Sequence, residues 1–565
     1  ALHGPHSPPK RCMRQALCRF WTSFLYRRRF YHAMAPSVDS EVIGSFRRLA
    51  REPLPYAPDL VVEKWRSTAS GLTVLWAQFD NPLLNAYITV ASEIFTDSGV
   101  PHTLEHLVFL GSQQYPYKGV LDSLANRAFA QGTNAWTAND HTAYTLTTAG
   151  SDGFLRMLPV YCDHVFFPTL TDAGFVTEVY HINGKLEDAG VVYSEMQGRE
   201  NSSADLMELK TQRMLYPRSS AYRSETGGLM SALRVLTIDE IRQYHAKYYA
   251  PHNAAIVLCG PLDREKLFAT LQGIDERFVQ LGVAHGEHGP AGWKRPFVET
   301  GSAIPPVIDG SVLAGHGVDD ADPPAHPHRR RVFVEFPERD ESIGEVQVSW
   351  IGPTLEENLE LHALDVLSTY LTDSPVSPVQ REFVERDEPL STDVYFGNSE
   401  RAGKSVLSAW FSGVPSSQLD ELDGRLDQLL RRVLAEGIDM TRMRTVLSRE
   451  RIRLLSQLEM RPADCFADVL IHDFLYGKRD GQGLATTLDD MSRFDALDKY
   501  TNEAWLDVLR RYFIDNPRLV VVGRPSASLV TRLKDETQGR VAQRREAWGE
   551  RGAHECEQKL QHARQ

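Results

Sequence analysis

A helix–turn–strand pattern occurs twice in this chain, and this repeat constrains the fold more than any other feature of the sequence. In each copy a helical stretch ends in an asparagine, an apolar run follows, and a Gly/Pro break ends the run. The copies occupy residues 248–261 and 511–525, so that Asn253 and Asn516 lie 263 residues apart. We therefore predict a duplicated domain.

The strongest chemical signal is the five-residue stretch His102-Thr103-Leu104-Glu105-His106. Pro101 suits the first turn of a helix and Gly111 suits a stop, so a helix is predicted over residues 101–110. Residues three or four apart share one face of a helix, and both histidines and the glutamate should therefore lie together.

Two imidazoles one turn apart can bind one zinc ion at about 2.0–2.1 Å, which leaves a third protein ligand and a water position to be filled. Glu105 would take the proton of the zinc-activated water as a general base. The plainer interpretation is a pair of ordinary histidines on a helix. Spacing alone leaves the third ligand open among the following acidic residues: Glu187, Asp188, Glu195, Glu200 and Glu208.

Charge and cysteine usage exclude several functional classes. The net charge is −13 although residues 1–38 contain seven basic and no acidic residues, so the remaining chain is strongly acidic and argues against nucleic acid as a partner. Six scattered cysteines show no disulfide or thiolate-metal spacing, which favours a reducing compartment. No apolar run approaches the roughly 20 residues of a membrane span.

The amino-terminal segment has the Arg-rich, acid-poor composition of a mitochondrial transit peptide. The alternative is that the protein starts at Met34-Ala35, which would place it in the cytoplasm. We predict a cytoplasmic location, with the mitochondrial matrix as the alternative if residues 1–33 are a transit peptide.

Residues 282–330 are rich in Gly, Pro, Asp and His and are predicted to be a linker or surface insertion. A metal site there is not favoured, because no Cys, Asp or Glu pattern accompanies the histidines. Counting 263 residues on from the His/Glu motif leads to a helical stretch with the lone His362, so only the first copy should bind a metal. The linker histidines are His285, His288, His316, His326 and His328.

The stretch 99–112, reading GVPHTLEHLVFLGS, strongly resembles the inverzincin metallopeptidases, the pitrilysin and insulysin type. Residues 134–137 with Tyr144, residues 190–196 and residues 219–228 resemble further segments of that family in the same order. The resemblance covers roughly residues 45–560. It extends to the presequence-protease-like branch and, within it, to uncharacterised fungal cytosolic members.

This resemblance implies an α+β fold with two homologous mitochondrial-processing-peptidase-like domains, each a mixed or antiparallel sheet flanked by helices. It implies one Zn2+ per chain with Glu195 as third ligand, on a helix running through Gln197 to Met214. Asp188 stands where relatives carry a supporting acid, although a turn residue is an equal alternative. The predicted segments are a basic tail (1–40), a catalytic domain (41–275), a linker (276–328), a non-catalytic domain (329–530) and a helical connector (531–565).

Asn134, Ala135, Trp136 and Thr137 resemble the edge strand that lies beside the zinc in this family. A peptide can add to such a strand by main-chain hydrogen bonds, which gives affinity with little sequence dependence. The alternative is an internal strand with Trp136 in the core.

The function predicted is that of a zinc-dependent metalloendopeptidase acting on short or unfolded peptides. The alternative is a non-catalytic peptide-binding or scaffold subunit of the same fold. Members of the branch have two such halves that close around a chamber, so we expect this chain to be the amino-terminal half and to need a homologous carboxy-terminal half.

Overall fold

The computed structural model describes residues 41–306, 308 and 329–565. The predictions for the basic tail 1–40, for residues 309–328 of the linker, and hence for His316, His326 and His328, lie outside the described residues.

The first sheet has eight strands in the order β1-β2-β3-β4-β10-β5-β7-β6, and β4 and β10 form its only parallel pair among the described strands. A short hairpin, β8-β9, lies apart from it. The strands are β1 (Val42–Ile43), β2 (Phe46–Leu54), β3 (Ala57–Ser67), β4 (Thr73–Gln78), β5 (Leu83–Ala91), β6 (Asn134–Thr137), β7 (His141–Ala149), β8 (His181–Ile182), β9 (Asp188–Ala189) and β10 (Ala254–Cys259).

Most helices of the first half cover one face of this sheet. Successive strand residues point to opposite faces, so Trp65, Val74 and Ile88 pack under these helices. The exception is the helix Ser203–Leu215, whose Met207 and Met214 pack against Val332 and Val521 of the second sheet. The helices are α1 (Val100–Val108), α2 (Val120–Arg127), α3 (Ser151–Phe166), α4 (Asp172–Gly174), which continues into a π-helical turn (Phe175–Val179), α5 (Val191–Arg199), α6 (Ser203–Leu215), α7 (Met230–Leu233), α8 (Ile238–Tyr248) and α9 (Arg264–Gln280).

The second sheet has five strands in the order β11-β15-β12-β14-β13, and again one pair, β11 and β15, is parallel. The mixed sheets and many helices confirm the predicted α+β class. The elements are β11 (Arg329–Pro337), β12 (Ile343–Thr354), α10 (Asn358–Thr372), α11 (Pro378–Phe383), β13 (Asp393–Ser399), β14 (Lys404–Pro415), α12 (Leu422–Glu436), α13 (Met440–Met460), α14 (Pro462–Tyr476), α15 (Leu484–Thr487), α16 (Asp490–Leu497), α17 (Asn502–Leu509), β15 (Arg518–Ser526) and α18 (Ala527–Arg564).

The repeated asparagines make equivalent hydrogen bonds in the two halves. Asn253 Nδ2 donates to the carbonyl of Ala91 at the end of β5 (2.7 Å) and to a carbonyl of α8 (2.8 Å). Asn516 Nδ2 donates to the carbonyl of Ile351 in β12 (2.7 Å) and to that of Tyr512 (3.1 Å). In each half the amide ties a helix end to a sheet strand, which explains why the pattern repeats.

Helix α14 belongs to the second half of the chain but packs on the first sheet. Its Phe466, Leu470 and Ile471 lie against Val62 and Val257, on the face opposite the helices of the first half. The sheet is therefore buried on both faces. None of the helices in the described part of the chain is both long and apolar enough to cross a bilayer.

One local prediction is wrong. The helix predicted to run through Gln197 to Met214 is broken, because α5 ends at Arg199 and the Ser202 hydroxyl caps a new helix by accepting from the Asp205 backbone N–H at 3.1 Å. Within the segment predicted to be a linker or surface insertion, residues 297–302 fold back onto the buried Glu93 carboxylate.

Candidate metal centre

Helix α1 carries the His/Glu motif and is held rigidly by its own sequence. It begins after Gly99, whose φ of +74° favours glycine, and Pro101 occupies its first turn. A Cβ at Gly99 would lie 2.5 Å from the Gly227 carbonyl oxygen, so the 227–228 turn packs directly on the start of the helix. The buried Leu104 and Val108 fix the opposite face in the core.

The structure brings His102, His106 and Glu195 together. The two imidazole rings are 4.9 Å apart and almost perpendicular. Glu195 on α5 reaches both of them, with Oε1 3.5 Å from His102 Nε2 and Oε2 3.4 Å from His106 Nε2. Donor atoms of the three side chains all lie within 4.8 Å of one another.

This donor set fits zinc. Tetrahedral zinc with bonds of about 2.0–2.2 Å places its ligands about 3.4 Å apart, which matches the His–Glu separations. Nitrogen and carboxylate oxygen are ordinary zinc ligands, and three protein ligands leave a fourth position open. In the described part of the chain, His102, His106 and Glu195 are the one group of three His, Cys, Asp or Glu side chains close enough to hold a metal ion. The described residues of the second repeat contain no such group.

A second carboxylate orients His106. Glu178 Oε1 lies 3.3 Å from His106 Nδ1, the ring nitrogen that does not face Glu195. Glu178 is carried by the π-helical turn Phe175–Val179, a rare element that often occurs at functional sites. A carboxylate behind a ligating histidine fixes the tautomer and makes the imidazole a stronger ligand.

The two histidines are in different electrostatic environments. Burial lowers the pKa of His102, and the charge of His106 acts in the same direction. Burial also acts to lower the pKa of His106, but the hydrogen bond to Glu178 and the charges of Glu105 and Glu195 raise it above its ordinary value. His102 is thus held neutral, the form that binds a metal.

Glu105 lies beside this cluster and is anchored by the neighbouring strand. Thr137 Oγ1 donates a hydrogen bond of 2.6 Å to Glu105 Oε2, and a second hydroxyl, that of Thr142, lies 3.2 Å from Thr137 Oγ1. Burial raises the pKa of Glu105, while the Thr137 hydrogen bond partly offsets the increase. A carboxylate with a raised pKa can exchange a proton near neutral pH.

Residues 134–137 form β6, the last strand of the first sheet. β7 pairs with one side of β6, and no described strand pairs with the other. Trp136 is 36% exposed rather than in the core. Its indole N–H donates to His141 Nε2 at 3.0 Å, and His141 is in turn bonded to Asp140 at 2.7 Å. The strand is therefore both open and well supported.

The other acidic candidates have different partners. Glu200 accepts from the backbone N–H of Met230, and Glu208 lies 3.3 Å from the side-chain amide of Gln347. Glu187 accepts from Asn183 in the β8–β9 hairpin. Asp188 is neither a ligand nor a simple turn residue, since Arg234 and Arg544 both contact its carboxylate.

His362, the counterpart from the repeat, lies in α10 with its ring edge-on to Phe494 at 4.3 Å. The sequence does not predict the contacts that Glu178 and Thr137 make at this site. Thr137 is predicted only as part of a strand, and Glu178 belongs to no local motif.

Two family models match this chain, and both describe domains of the same peptidase family. The family model described as "Insulinase (Peptidase family M16)" matches residues 92–208, and the model described as "Peptidase M16 inactive domain" matches residues 236–449.

Curated relatives match over most of this chain. An uncharacterised protein of Saccharomyces cerevisiae is 35% identical over 503 residues, which is 88% of this chain and 46% of that protein. An uncharacterised protein of Caenorhabditis elegans is 34% identical over 504 residues, 88% of this chain and 47% of that protein. The mitochondrial presequence protease of Gibberella zeae is 25% identical over 362 residues, 61% of this chain and 32% of that protein. The chain thus spans about half the length of the first two relatives.

Solved structures share the fold. A protease from Helicobacter pylori aligns with a TM-score of 0.62 at 18% identity, over 81% of this chain and 98% of that one. A peptidase M16 inactive domain from Pseudomonas fluorescens aligns with a TM-score of 0.58 at 15% identity, over 82% of this chain and 98% of that one. These likenesses show the fold alone, whereas the two family models and the relatives show that the chain belongs to the insulinase-like peptidase family M16.

Proposed function

We propose that the chain is a zinc-dependent metalloendopeptidase that hydrolyses peptide bonds in short or unfolded peptides. One observation carries the proposal: His102, His106 and Glu195 converge within 4.8 Å of one another beside Glu105, which is bonded to β6 at the edge of the sheet. Metal ligands, a proton acceptor and a docking edge for a peptide are thereby adjacent.

His102, His106 and Glu195 would hold the metal, and Glu178 fixes the ring of His106 from behind. A zinc ion bound there supplies Lewis acidity, which polarises a peptide carbonyl and lowers the pKa of water. Glu195 is 41% exposed, so the site is open to substrate on that side.

Glu105 acts as the general base. Thr137 engages its Oε2, which holds the carboxylate in one orientation and leaves Oε1 to accept a proton from the attacking water. The raised pKa of Glu105 then suits it to return that proton to the leaving amine.

The free side of β6 binds the substrate backbone. A peptide that pairs with this edge as an extra strand must be extended, which selects short or unfolded chains over folded proteins. Its side chains would alternate between the face of Thr137 and the face of Trp136.

We also propose that full turnover needs a homologous carboxy-terminal half in addition to the two repeats of this chain. The relatives from Saccharomyces cerevisiae and Caenorhabditis elegans are about twice as long as this chain. In this chain the Glu195 side chain is exposed. A covering half would exclude water from the site and strengthen its electrostatic interactions.

The test is the variant Glu105→Gln in the purified, zinc-loaded chain, assayed with an internally quenched peptide and by metal analysis. Cleavage should fall by about 10²–10⁴-fold while the zinc content stays at one per chain. The surface variant Glu187→Gln serves as the matched control and should keep full activity. Undiminished cleavage by Glu105→Gln would refute the mechanism.

A second candidate is a non-catalytic peptide-binding or scaffold subunit. It is favoured by the match of residues 236–449 to the model described as an inactive domain. The same assay separates the two when the homologous carboxy-terminal half is supplied, because a scaffold binds the peptide and zinc but cleaves nothing even as wild type with that half present.

A further inference from the structure

A small, strongly basic cavity lies beneath α14, in a part of the fold that the metal centre does not use. Its volume is about 20 Å³, room for one occupant the size of a water molecule. Four basic side chains line it, and the remaining lining is neutral. The lining residues are Lys64, Arg66, Arg295 and Arg479, with Thr73, Ala91, Asn253, Phe474 and Gly477.

Strand alternation places two of these cations in the interior. Val62, Lys64 and Arg66 share one face of β3, the face that α14 covers, whereas Trp65 points into the opposite core. Lys64 is only 2% exposed and Arg66 only 3%. Removing each charge from water costs several kcal/mol unless something compensates it.

Only Lys64 among the four has a direct carboxylate partner in the described residues. Its Nζ lies 2.6 Å from Asp473 Oδ2 and donates to the Lys478 carbonyl at 2.9 Å. That pair is satisfied and neutral overall.

Arg295 and Arg479 bind neutral groups instead. Arg295 donates to the carbonyl oxygens of Leu475 and Gly477, and Arg479 donates to that of His252 at 3.0 Å. Carbonyl oxygens satisfy the N–H groups without neutralising the charges. Carboxylates oppose these charges only from a distance: Glu299 acts on both arginines, Asp473 on Arg295 and Glu287 on Arg479.

Arg66 is not satisfied even in its hydrogen bonds. Its Nε and Nη2 are buried and have no partner among the described residues. The nearest acids are engaged elsewhere, since Glu287 pairs with Arg47 and Glu299 accepts from the Arg295 backbone N–H. Each buried N–H left without a partner costs about 1–3 kcal/mol.

The positive potential in the cavity affects the pKa values of the guanidinium groups that line it. Burial, together with the charges of Arg66 and Arg295, lowers the pKa of Arg479 to about 9. Burial also lowers the pKa of Arg66; Glu287 and Glu299 oppose this effect, and Arg47 adds to it. A negative charge in the cavity would relieve all of these interactions at once.

We propose that this cavity is a binding site for one small inorganic anion of the size of chloride, held by the unpaired N–H groups of Arg66 and by the charges of Arg295 and Arg479. The volume of about 20 Å³ suits a single small ion. The anion would join β3 of the first sheet to the residues that follow α14. It therefore strengthens the packing of the second half on the first, and this role is independent of the metal centre.

The first test is thermal unfolding of the full chain in sodium gluconate, with chloride replacing gluconate at constant ionic strength. A ligand that binds only the folded state raises the Tm until its site is filled, so a saturating rise of a few degrees is expected. Arg66→Met should remove this chloride-dependent rise, whereas Arg532→Met, at an arginine that is 66% exposed, should keep it.

The second test does not depend on any variant folding. Crystals of the wild-type chain grown in bromide should show an anomalous scattering peak beside Arg66 Nε. No peak there, or a chloride response that is the same in Arg66→Met as in wild type, would overturn the proposal. An Arg66-dependent stabilisation by sulfate instead of chloride would likewise overturn the assignment to a small anion.

Discussion

Thr137 and Glu105 are joined by a hydrogen bond of 2.6 Å from Oγ1 to Oε2, and this bond links the edge strand β6 to the motif helix α1. The hydroxyl donates to the ionised carboxylate, so it favours the charged form and limits the rise in the pKa of Glu105 that burial causes. Thr137 thus positions Glu105, in addition to its place in the strand that we propose as the peptide-docking edge.

Replacing Thr137 by the isosteric valine should lower kcat by about 10–100-fold, because a hydrogen bond to a charged group contributes about 1.5–3 kcal/mol. KM and zinc content should change little. Loss of the bond raises the pKa of Glu105, so the acidic limb of the kcat/KM profile should move to higher pH. Thr137→Ser retains the hydroxyl and should restore both kcat and the position of the acidic limb. Equal rates for the valine and serine variants would contradict the positioning role of Thr137.

Removing Glu178 should weaken metal binding. Its Oε1 lies 3.3 Å from His106 Nδ1, and loss of such an orienting carboxylate typically lowers metal affinity about 10–100-fold. Competition with a zinc chelator measures the effect in Glu178→Ala. Glu187→Ala removes an equivalent, exposed side chain from the nearby hairpin and should leave the affinity unchanged. Identical affinities in both variants would show that Glu178 plays no part.

Asp188 should fasten the carboxy-terminal helix α18 to the first half. Arg544 of that helix lies 2.5 Å from Asp188 Oδ1, and Arg234 of the first half lies 3.2 Å from Oδ2. Asp188→Asn should speed hydrogen exchange around Arg544, as detected by mass spectrometry. Asp172→Asn is the control, because Asp172 is 82% exposed and lies outside this cluster. Unaltered exchange in Asp188→Asn would argue against the fastening.

The same contact predicts a pH dependence. Burial acts to raise the pKa of Asp188, but hydrogen bonds from Tyr180 and Arg544 and the arginine charges lower it below its ordinary value. A lowered folded-state pKa stabilises above the unfolded value of about 3.9, and the contribution disappears as the pH falls through the folded value. The protection of amides around Arg544, measured relative to their intrinsic exchange rate at each pH, should therefore fall on acidification below about pH 4 in the wild type, and much less so in Asp188→Asn.

The two repeated asparagines should both be structural. Asn253→Ala leaves two buried carbonyls without their donor and should lower the free energy of unfolding by about 1–3 kcal/mol, measured by urea titration. Asn516→Ala should lower the free energy of unfolding by a smaller amount, because Asn516 is only half-buried whereas Asn253 is 2% exposed. Asn126→Ala on the exposed surface of α2 should change stability by less than about 0.5 kcal/mol. A loss at Asn253 no larger than that at Asn126 would refute this prediction.

Local sequence patterns determined the position of the motif helix and of the repeated strands in this protein. His102, Glu105 and His106 fall within two turns of one helix, so helix geometry alone places them together. The apolar run after Asn253 is β10, because a strand pattern bounded by turn residues depends mainly on near neighbours. The strand β6 at residues 134–137 was implied by the family resemblance and not by a local pattern. The domain boundaries and the peptide-docking role of β6 remain predictions.

Only the tertiary structure decided which distant groups meet. Spacing left five acids open as the third ligand, and the resemblance pointed to Glu195; its carboxylate lies beside both histidines because α5 packs next to α1. Glu178 and Thr137 reach the site from a π-helical turn and an edge strand. Arg66 has the ordinary appearance of a solvent-facing strand residue, and it is buried only because α14, about 400 positions further along, covers that face. Such placements follow from long-range packing, which no local pattern encodes.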